Sequence, residues 1–303
     1  MGRNKGMIHS VAEPELRALT TLRLGGRAVA LVSLETESDL EALPDVLQRL
    51  GGRPMVIGRG SNILADDRAL PFVLIRPDFR QGPEIVAQES RQVRVRAGAG
   101  LPLPRLLAWA AKRGLSGLEG LAGVPGVLGG GVAMNAGSYG CELGPILAEI
   151  RVFTVPGGVR RLLPGEFAWR YRELDVPALA ASAWWMACGA DLVLTVDDPA
   201  RIRLRMAQNL ARKKASQPVR AHSAGCVFKN PEGLSAGKLL DEAGFRGKRL
   251  GGMAFSDLHA NFLVNTGGGE SAAALELLEN ARAAVAERHG ITLQTEVKLW
   301  LSS

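Results

Sequence analysis

Two glycine-rich segments, a Tyr-Arg pair, a cysteine in a polar turn and a glutamate near the C-terminus are the groups in this chain that could do chemistry. The first segment is Gly58-Arg59-Gly60-Ser61-Asn62, running on to Leu64 at the end of an expected strand. Two glycines and a Ser-Asn step can turn backbone N–H groups into a nest suited to a diphosphate. An ordinary Gly/Asn turn after a strand has the same composition, and the segment is neither a GxGxxG fingerprint nor a Walker A loop. The second segment runs from Gly120 to Gly140. It holds Gly123-Val124-Pro125-Gly126, then Gly129, Gly130 and Gly131, then Asn135-Ala136-Gly137. Glycine weakens an ordinary helix or strand, so this density predicts a loop system against which a large flat or charged ligand lies.

Tyr171-Arg172 sits within Phe167–Asp175. A guanidinium is planar and permanently charged, which suits a carboxylate or another anionic oxygen. Arg170 competes for that task by position, and a solvated Tyr-Arg pair on a surface would read the same way. Cys226 lies in His222–Pro231. A thiol with a reference pKa of about 8.5 is mostly protonated at neutral pH and can give up a proton. A lone cysteine can equally be a packed core residue. Glu296 falls in Leu293–Trp300, which reads as a closing strand. Alternation places Leu293, Thr295 and Val297 on one face and Gln294, Glu296 and Lys298 on the other. A solvated strand face would carry such a carboxylate too.

These groups need a scaffold, and the hydrophobic pattern supplies one. From Thr20 the order is strand, helix, strand, which suggests a small α/β unit with a parallel pair. Residues 71–77 and 92–100 read as further strands, and 101–114 as a helix capped by Gly114. Strand-like runs follow at 149–155, 158–164 and 184–196. Residues 198–217 form a long basic amphipathic helix stopped by Pro218. After it come a helix at 235–244, a strand at 261–267, a long helix at 271–290 and the closing strand. The expected organisation is a lead-in over 1–19, then segments 20–77, 78–197 and 198–303, in an α+β fold.

Bulk properties narrow the function. A chain of 303 residues, 47% hydrophobic and 22% charged, is long enough for two or three domains with real cores. Thirty-seven basic against 30 acidic side chains give a net charge of +7, which favours an anionic partner. Cys141, Cys188 and Cys226 share no CxxC spacing and are odd in number, so neither a disulfide framework nor a metal site is expected. The basic start lacks the apolar core of a signal peptide, and the longest uncharged stretch is too glycine-rich for a membrane helix. A cytoplasmic protein without membrane attachment is expected. The basic helix could touch nucleic acid, but no RNA-binding signature accompanies it, and 2 Tyr and 8 Phe offer few stacking platforms.

In order along the chain, Thr21–Gly26, Gly58–Leu64, Gly123–Gly140, Tyr171-Arg172, Ser223–Pro231, Ala236–Leu239, Gly251-Gly252, His259–Phe262 and Glu296-Val297 resemble the UDP-N-acetylenolpyruvoylglucosamine reductase family. Each motif alone is modest; the ordered set spans nearly the whole chain. The resemblance implies a two-domain FAD-binding unit of the vanillyl-alcohol-oxidase (PCMH) type, followed by a C-terminal α/β substrate-binding domain. The length points to the shorter of the family's two classes, without an inserted segment and its tyrosine loop.

The resemblance also implies roles. Gly58, Arg59, Gly60, Ser61 and Asn62, with Gly123, Val124, Pro125, Gly126, Gly129, Gly130, Asn135, Ala136 and Gly137, would surround FAD. None of the four histidines lies in those loops, so the flavin is expected to be non-covalent; Cys141, just after the second loop, is the thiol that a covalent link would use. NADPH would be the co-substrate and UDP-N-acetylglucosamine enolpyruvate the substrate, reduced to UDP-N-acetylmuramate for peptidoglycan. Arg172 and Glu296 would support the enolate, and Cys226 would protonate C2. Tyr171, Lys229 and Asn230 would contact substrate. The chain departs from the family pattern at Leu174, where serine is usual. A monomer is expected. The alternatives are another FAD-dependent oxidase of the same fold, or a flavin-free nucleotide- or RNA-binding module.

Overall fold

The computed structural model describes residues 8–180, 182 and 184–302, so the first seven residues of the expected lead-in lie outside the described part. The chain forms two compact units built from interleaved segments. The first takes residues up to Ala12, Val29–Gly58 and Phe72–Ala211; the second takes Glu13–Ala28, Arg59–Pro71 and Arg212 onward. Contact therefore groups most of 20–77 with 78–197, while residues 13–28 and 59–71 join the C-terminal segment.

The first unit holds two larger sheets and two two-stranded ribbons. One is four-stranded, in the order His9–Ala12, Ala28–Leu34, Leu70–Pro77, Arg53–Val56. Its last pair is parallel but is not the pair the strand-helix-strand pattern suggests: the helix Asp39–Leu50 joins Ala28–Leu34 to Arg53–Val56, and Leu70–Pro77 inserts between those two strands. Leu40, Leu43 and Val46 recur every third residue and face inward. Asp39 fixes the entry to this helix, accepting N–H bonds from Glu35 and Thr36 at 2.8 and 2.9 Å.

The second sheet is antiparallel, in the order Gly158–Leu162, Leu147–Thr154, Trp185–Val196, Gln92–Gly98, Glu84–Glu89, with Leu115–Ser116 beside the long strand. Val93, Val95 and Ala97 turn into the core with Leu103, Leu106, Leu107 and Ala110 of the helix Leu103–Lys112. Arg94 and Arg96 turn the other way. Both donate to Asp191, Arg94 Nε at 2.7 Å and Arg96 Nε at 2.9 Å. Asp191 is 1% exposed. Burial opposes its ionisation, but hydrogen bonds from Arg96 and Arg94 hold its carboxyl below the usual range. The edge strand Glu84–Glu89 is exposed along its whole length, and its sequence lacks the alternation that would have marked it.

The helix Pro199–Ser216 is amphipathic as expected. Arg205 donates to Glu119 at 2.7 Å and to Asp197 at 2.6 Å, so part of its basic face is used internally. No helix among the described residues is long and apolar enough to cross a membrane.

The second unit has an antiparallel sheet in the order His222–Cys226, Phe262–Asn265, Met253–Phe255, Arg249–Leu250. The helices Ala236–Glu242 and Ser271–His289 bury Leu240, Leu277, Leu278 and Val285 in one cluster with Leu22, Phe228, Phe245 and Phe255. Asp67 fixes the start of the long helix, accepting from the Ser271 N–H at 2.5 Å, where a carboxylate also suits the helix dipole. A parallel pair, Ile63–Ala65 with Lys298–Trp300, brings the C-terminal segment beside the first glycine segment.

The closing strand expected over Leu293–Trp300 is corrected: only Lys298–Trp300 is a strand, and Thr295 makes a single bridge to Phe228. Leu293 and Val297, four apart, are both buried. The reason lies in the backbone hydrogen bonds of this stretch. They go to two different partners in turn, the 227–229 turn and then Asn62, so no one strand runs alongside it.

Candidate active site

The second unit ties its motif residues together through main-chain bonds. Thr21 N–H donates to the Gly60 carbonyl at 3.1 Å. Its hydroxyl donates to the Ser223 carbonyl at 2.6 Å. Glu296 N–H donates to the Val227 carbonyl at 2.8 Å, and Lys229 N–H to the Gln294 carbonyl at 2.8 Å. Lys298 N–H donates to the Asn62 carbonyl at 3.0 Å. Asn62 Nδ2 returns to the Glu296 carbonyl at 3.2 Å. The Asn62 loop, the Cys226 turn and the Glu296 segment therefore form one knot, although they are far apart in sequence.

Cys226 ends its strand directly after a register shift between Ser223 and Cys226. Gly225 supplies the positive φ of +81°. The Ser223 hydroxyl oxygen accepts the Gly225 N–H at 3.0 Å. Bulges of this kind re-aim a side chain, here the half-buried thiol. Behind it stands Asn261, 1% exposed and not read from the sequence as a site residue. Its Oδ1 accepts from Phe228 N–H at 3.0 Å, and its Nδ2 donates to the Phe228 carbonyl at 2.8 Å. Its own carbonyl accepts from Val227 N–H at 2.9 Å. A lone asparagine has no periodic signature; only its burial marks this clamp. Lys229 is half-buried. Asn230 is exposed, and its Oδ1 accepts from Ala236 N–H at 3.0 Å, at the head of the helix Ala236–Glu242.

Gly60 takes φ +61°, and a Cβ there would stand 2.2 Å from the Leu19 carbonyl oxygen. The close approach of the chain at Leu19 and Thr20 is thus enough to demand glycine. Gly60→Ala is expected to destabilise the fold by about 1–3 kcal/mol, through strain and displaced backbone. Thermal unfolding of the flavin-free protein checks this: an unchanged Tm would show that the loop gives way freely.

In the first unit the triple glycine is corrected from loop to helix. Leu128–Ala133 is a short helical segment, because Leu128 and Val132, four apart, both point into the core. A Cβ on Gly129 would lie 2.8 Å from Ala99 Cβ, and one on Gly131 2.9 Å from Leu143 Cδ1. Packing explains those two glycines. Gly130 is exposed and has nothing within 4 Å of a Cβ position. Gly123 and Gly126 take φ of +78° and +130° around exposed Pro125 and half-buried Val124. Gly58 and Ala136 are half-buried.

Asn135 is wholly buried with φ +39°. Its Nδ2 donates to Glu142 Oε2 and to the Arg170 carbonyl, both at 3.0 Å, and its Oδ1 accepts from Gly144 N–H at 2.8 Å. Its side chain shapes the loop.

Tyr171 and Arg172 form the two-residue turn of a hairpin, Ala168–Arg170 with Glu173–Asp175. Arg172 holds φ +60°, which costs a residue with a Cβ roughly 1–2 kcal/mol. Glycine or asparagine would relieve this strain, so something other than turn chemistry calls for arginine at 172. Its guanidinium carbon lies 5.0 Å from the Tyr171 ring centre. Arg170, the rival candidate, is exposed and lies 3.5 Å from Asp175. Leu174 is buried.

By unit, Gly58, the Gly123–Gly137 segment, Tyr171 and Arg172 belong to the first, and Arg59–Asn62, Cys226, Lys229, Asn230 and Glu296 to the second. Within the first unit, the open backbone at Gly130 and the positive-φ glycines at 123 and 126 fit a large anionic group with a flat ring system. The Cys141 thiol donates to the Gly117 carbonyl at 3.1 Å, and burial pushes its pKa up to about 11. A thiol held neutral in this way is a poor flavin tether. Acid precipitation is therefore expected to release all bound flavin to the supernatant; colour remaining in the pellet would show a covalent link.

Known proteins match this arrangement along its whole length. Residues 28–162 match an FAD binding domain family. Residues 217–300 match the family of the UDP-N-acetylenolpyruvoylglucosamine reductase C-terminal domain. The UDP-N-acetylenolpyruvoylglucosamine reductase of Nitratidesulfovibrio vulgaris is 50% identical over 298 residues, 97% of this chain and 100% of that protein. The enzyme of that name from Caulobacter vibrioides is 39% identical over 93% of this chain and 92% of its own. The crystal structure of the Thermus caldophilus enzyme superposes with a TM-score of 0.78 at 34% identity, covering 97% of this chain and 99% of that one. With motifs, fold and both halves in agreement, the chain belongs to the UDP-N-acetylenolpyruvoylglucosamine reductase family and is an FAD-dependent oxidoreductase.

Proposed function

We propose that this chain reduces UDP-N-acetylglucosamine enolpyruvate to UDP-N-acetylmuramate with NADPH, supplying a peptidoglycan precursor. The observation that carries the reading is the knot in the second unit. It fixes the Cys226 turn, the Glu296 segment and the Asn62 loop against one another through main-chain bonds, so three motifs far apart in sequence share one place.

The glycine segments at 58–62 and 123–137 would hold FAD through backbone donors. When bound, FAD would supply the hydride chemistry that links NADPH to C3 of the enolpyruvyl group. Addition at C3 breaks the C2–C3 π bond and places an electron pair on C2 and the carboxylate as an enolate. Arg172 stabilises that charge with its planar fork. Glu296 supports the enol form. The Cys226 thiol gives its proton to C2, and the thiolate regains one from solvent. Tyr171, Lys229 and Asn230 orient the substrate. The segments 20–77, 78–197 and 198–303 divide this work into two FAD-binding parts and a substrate-binding part.

The protein works in the cytoplasm as a monomer, needing neither nucleic acid nor a membrane. The internal pairing of Arg205 supports the independence from nucleic acid, because it takes part of the helix charge away from external anions. The test is NADPH consumption by flavin-loaded protein. Stoichiometric turnover that depends on the enolpyruvyl substrate, with UDP-N-acetylmuramate formed, supports the reading. Oxygen-dependent turnover without that substrate would show an oxidase of the same fold.

A further inference from the structure

Glu142 has no role in the chemistry described so far, yet it lies beside Arg172. A Cβ on Gly137 would stand 2.6 Å from Glu142 Cγ and 3.2 Å from Arg172 Nη1, so both side chains close on the same point over a residue that has none. The hairpin carrying Arg172 is gripped by that same loop. Asn135 holds the Arg170 carbonyl at 3.0 Å. A Cβ on Gly144 would fall 2.4 Å from Trp169 Cγ, so the hairpin strand lies directly on Gly144. Asn135 also holds Glu142 Oε2 at 3.0 Å and Gly144 N–H at 2.8 Å. One buried amide thereby sets the position of the carboxylate and of the hairpin that carries Arg172 together.

We infer that Glu142 is the positioning residue for Arg172, holding its guanidinium over Gly137 in the orientation that receives the substrate's enolate. A fixed negative charge at this range selects among the rotamers of a long side chain, and Asn135 keeps that charge in place. Turn strain at Arg172 fixes where the side chain starts; Glu142 fixes where it ends. The inference rests on Arg172 acting in substrate reduction, as proposed above.

The test uses the full flavin-loaded protein in four forms: wild type, Glu142→Gln, Arg172→Lys and the double variant. Glutamine keeps an oxygen for Asn135 Nδ2 and removes the charge. Glu142→Gln is expected to leave flavin reduction by NADPH within about twofold of wild type. It should slow flavin reoxidation by substrate about 10- to 100-fold, the size of effect that a small misplacement of a reacting group produces. In the Arg172→Lys background the same change should cost less than about threefold, because residues that act through one another are not additive. Glu142→Asp, which keeps the charge, should retain more of the reoxidation rate than Glu142→Gln. In flavin-free protein, the Arg172 Nε–H resonance, assigned by its loss in Arg172→Lys, should be distinct in wild type and averaged in Glu142→Gln.

An equal cost of Glu142→Gln in both backgrounds would overturn the inference. So would equal slowing of both half-reactions, glutamine outperforming aspartate, or an unmoved Arg172 resonance. Wild-type reoxidation in Arg172→Lys alone would instead overturn the role of Arg172 itself, which the single variant reads separately.

Discussion

Cys226→Ala is expected to bind FAD, to be reduced normally by NADPH, and then to reduce substrate about 10²- to 10⁴-fold more slowly, the usual contribution of a placed general acid. Hydride can still arrive at C3, but C2 has no correctly placed proton source. Cys226→Ser should remain active, because a hydroxyl can occupy the same place on the bulge that Gly225 and Ser223 build. Thiol alkylation should reproduce the alanine effect in wild type and spare the serine variant. The other cysteines do not confuse this comparison. Burial pushes the Cys188 thiol up to about 12 and the Cys141 thiol up to about 11, so few thiolates form there at neutral pH. Full-speed product formation by Cys226→Ala would make the thiol a packing residue.

Arg172→Lys is expected to lower substrate reduction by about 10²- to 10³-fold, the cost typical of removing one contact to a developing oxyanion. Lysine keeps the charge but presents a point ammonium in place of a planar fork. Substrate should still bind, and reduction of the flavin by NADPH should be nearly unchanged, since no enolate forms in that step. The hairpin turn itself should survive, because lysine meets the same φ of +60° that arginine does. Rapid-mixing measurement of each half-reaction checks the split; equal loss in both halves would indicate a folding defect instead.

The elements and side chains behind these two effects differ in how visible they are in the sequence. Strong periodicity marked some of the elements that position the site: Gln92–Gly98 and Leu103–Lys112 follow their hydrophobic spacing closely. The edge strand Glu84–Glu89 was not legible, because it buries nothing and so carries no alternation. The hairpin that holds Arg172 was missed because three-residue strands are too short to show a period. The closing strand was over-read for the opposite reason. Leu293, Thr295 and Val297 alternate in sequence, but backbone bonding to two partners broke the strand. At the proposed site, Arg172, Cys226 and Glu296 stand out in the sequence through the ordered motifs. Those motifs could not separate glycines that face a ligand from glycines that admit a neighbour. Gly60 and Gly131 prove crowded by Leu19 and Leu143, and Gly130 open. Asn261 and Glu142 escaped notice because a single polar residue signals its role only through the company it keeps when buried.

The most direct test of the central claim is a single turnover in the absence of oxygen. Protein reduced by one equivalent of NADPH is mixed with UDP-N-acetylglucosamine enolpyruvate, and the return of the oxidised flavin absorbance is followed. Reoxidation on addition of the substrate, with one UDP-N-acetylmuramate formed per flavin and none without substrate, is the predicted result. Flavin that stays reduced with the enolpyruvyl compound and reoxidises only when oxygen is admitted would contradict it.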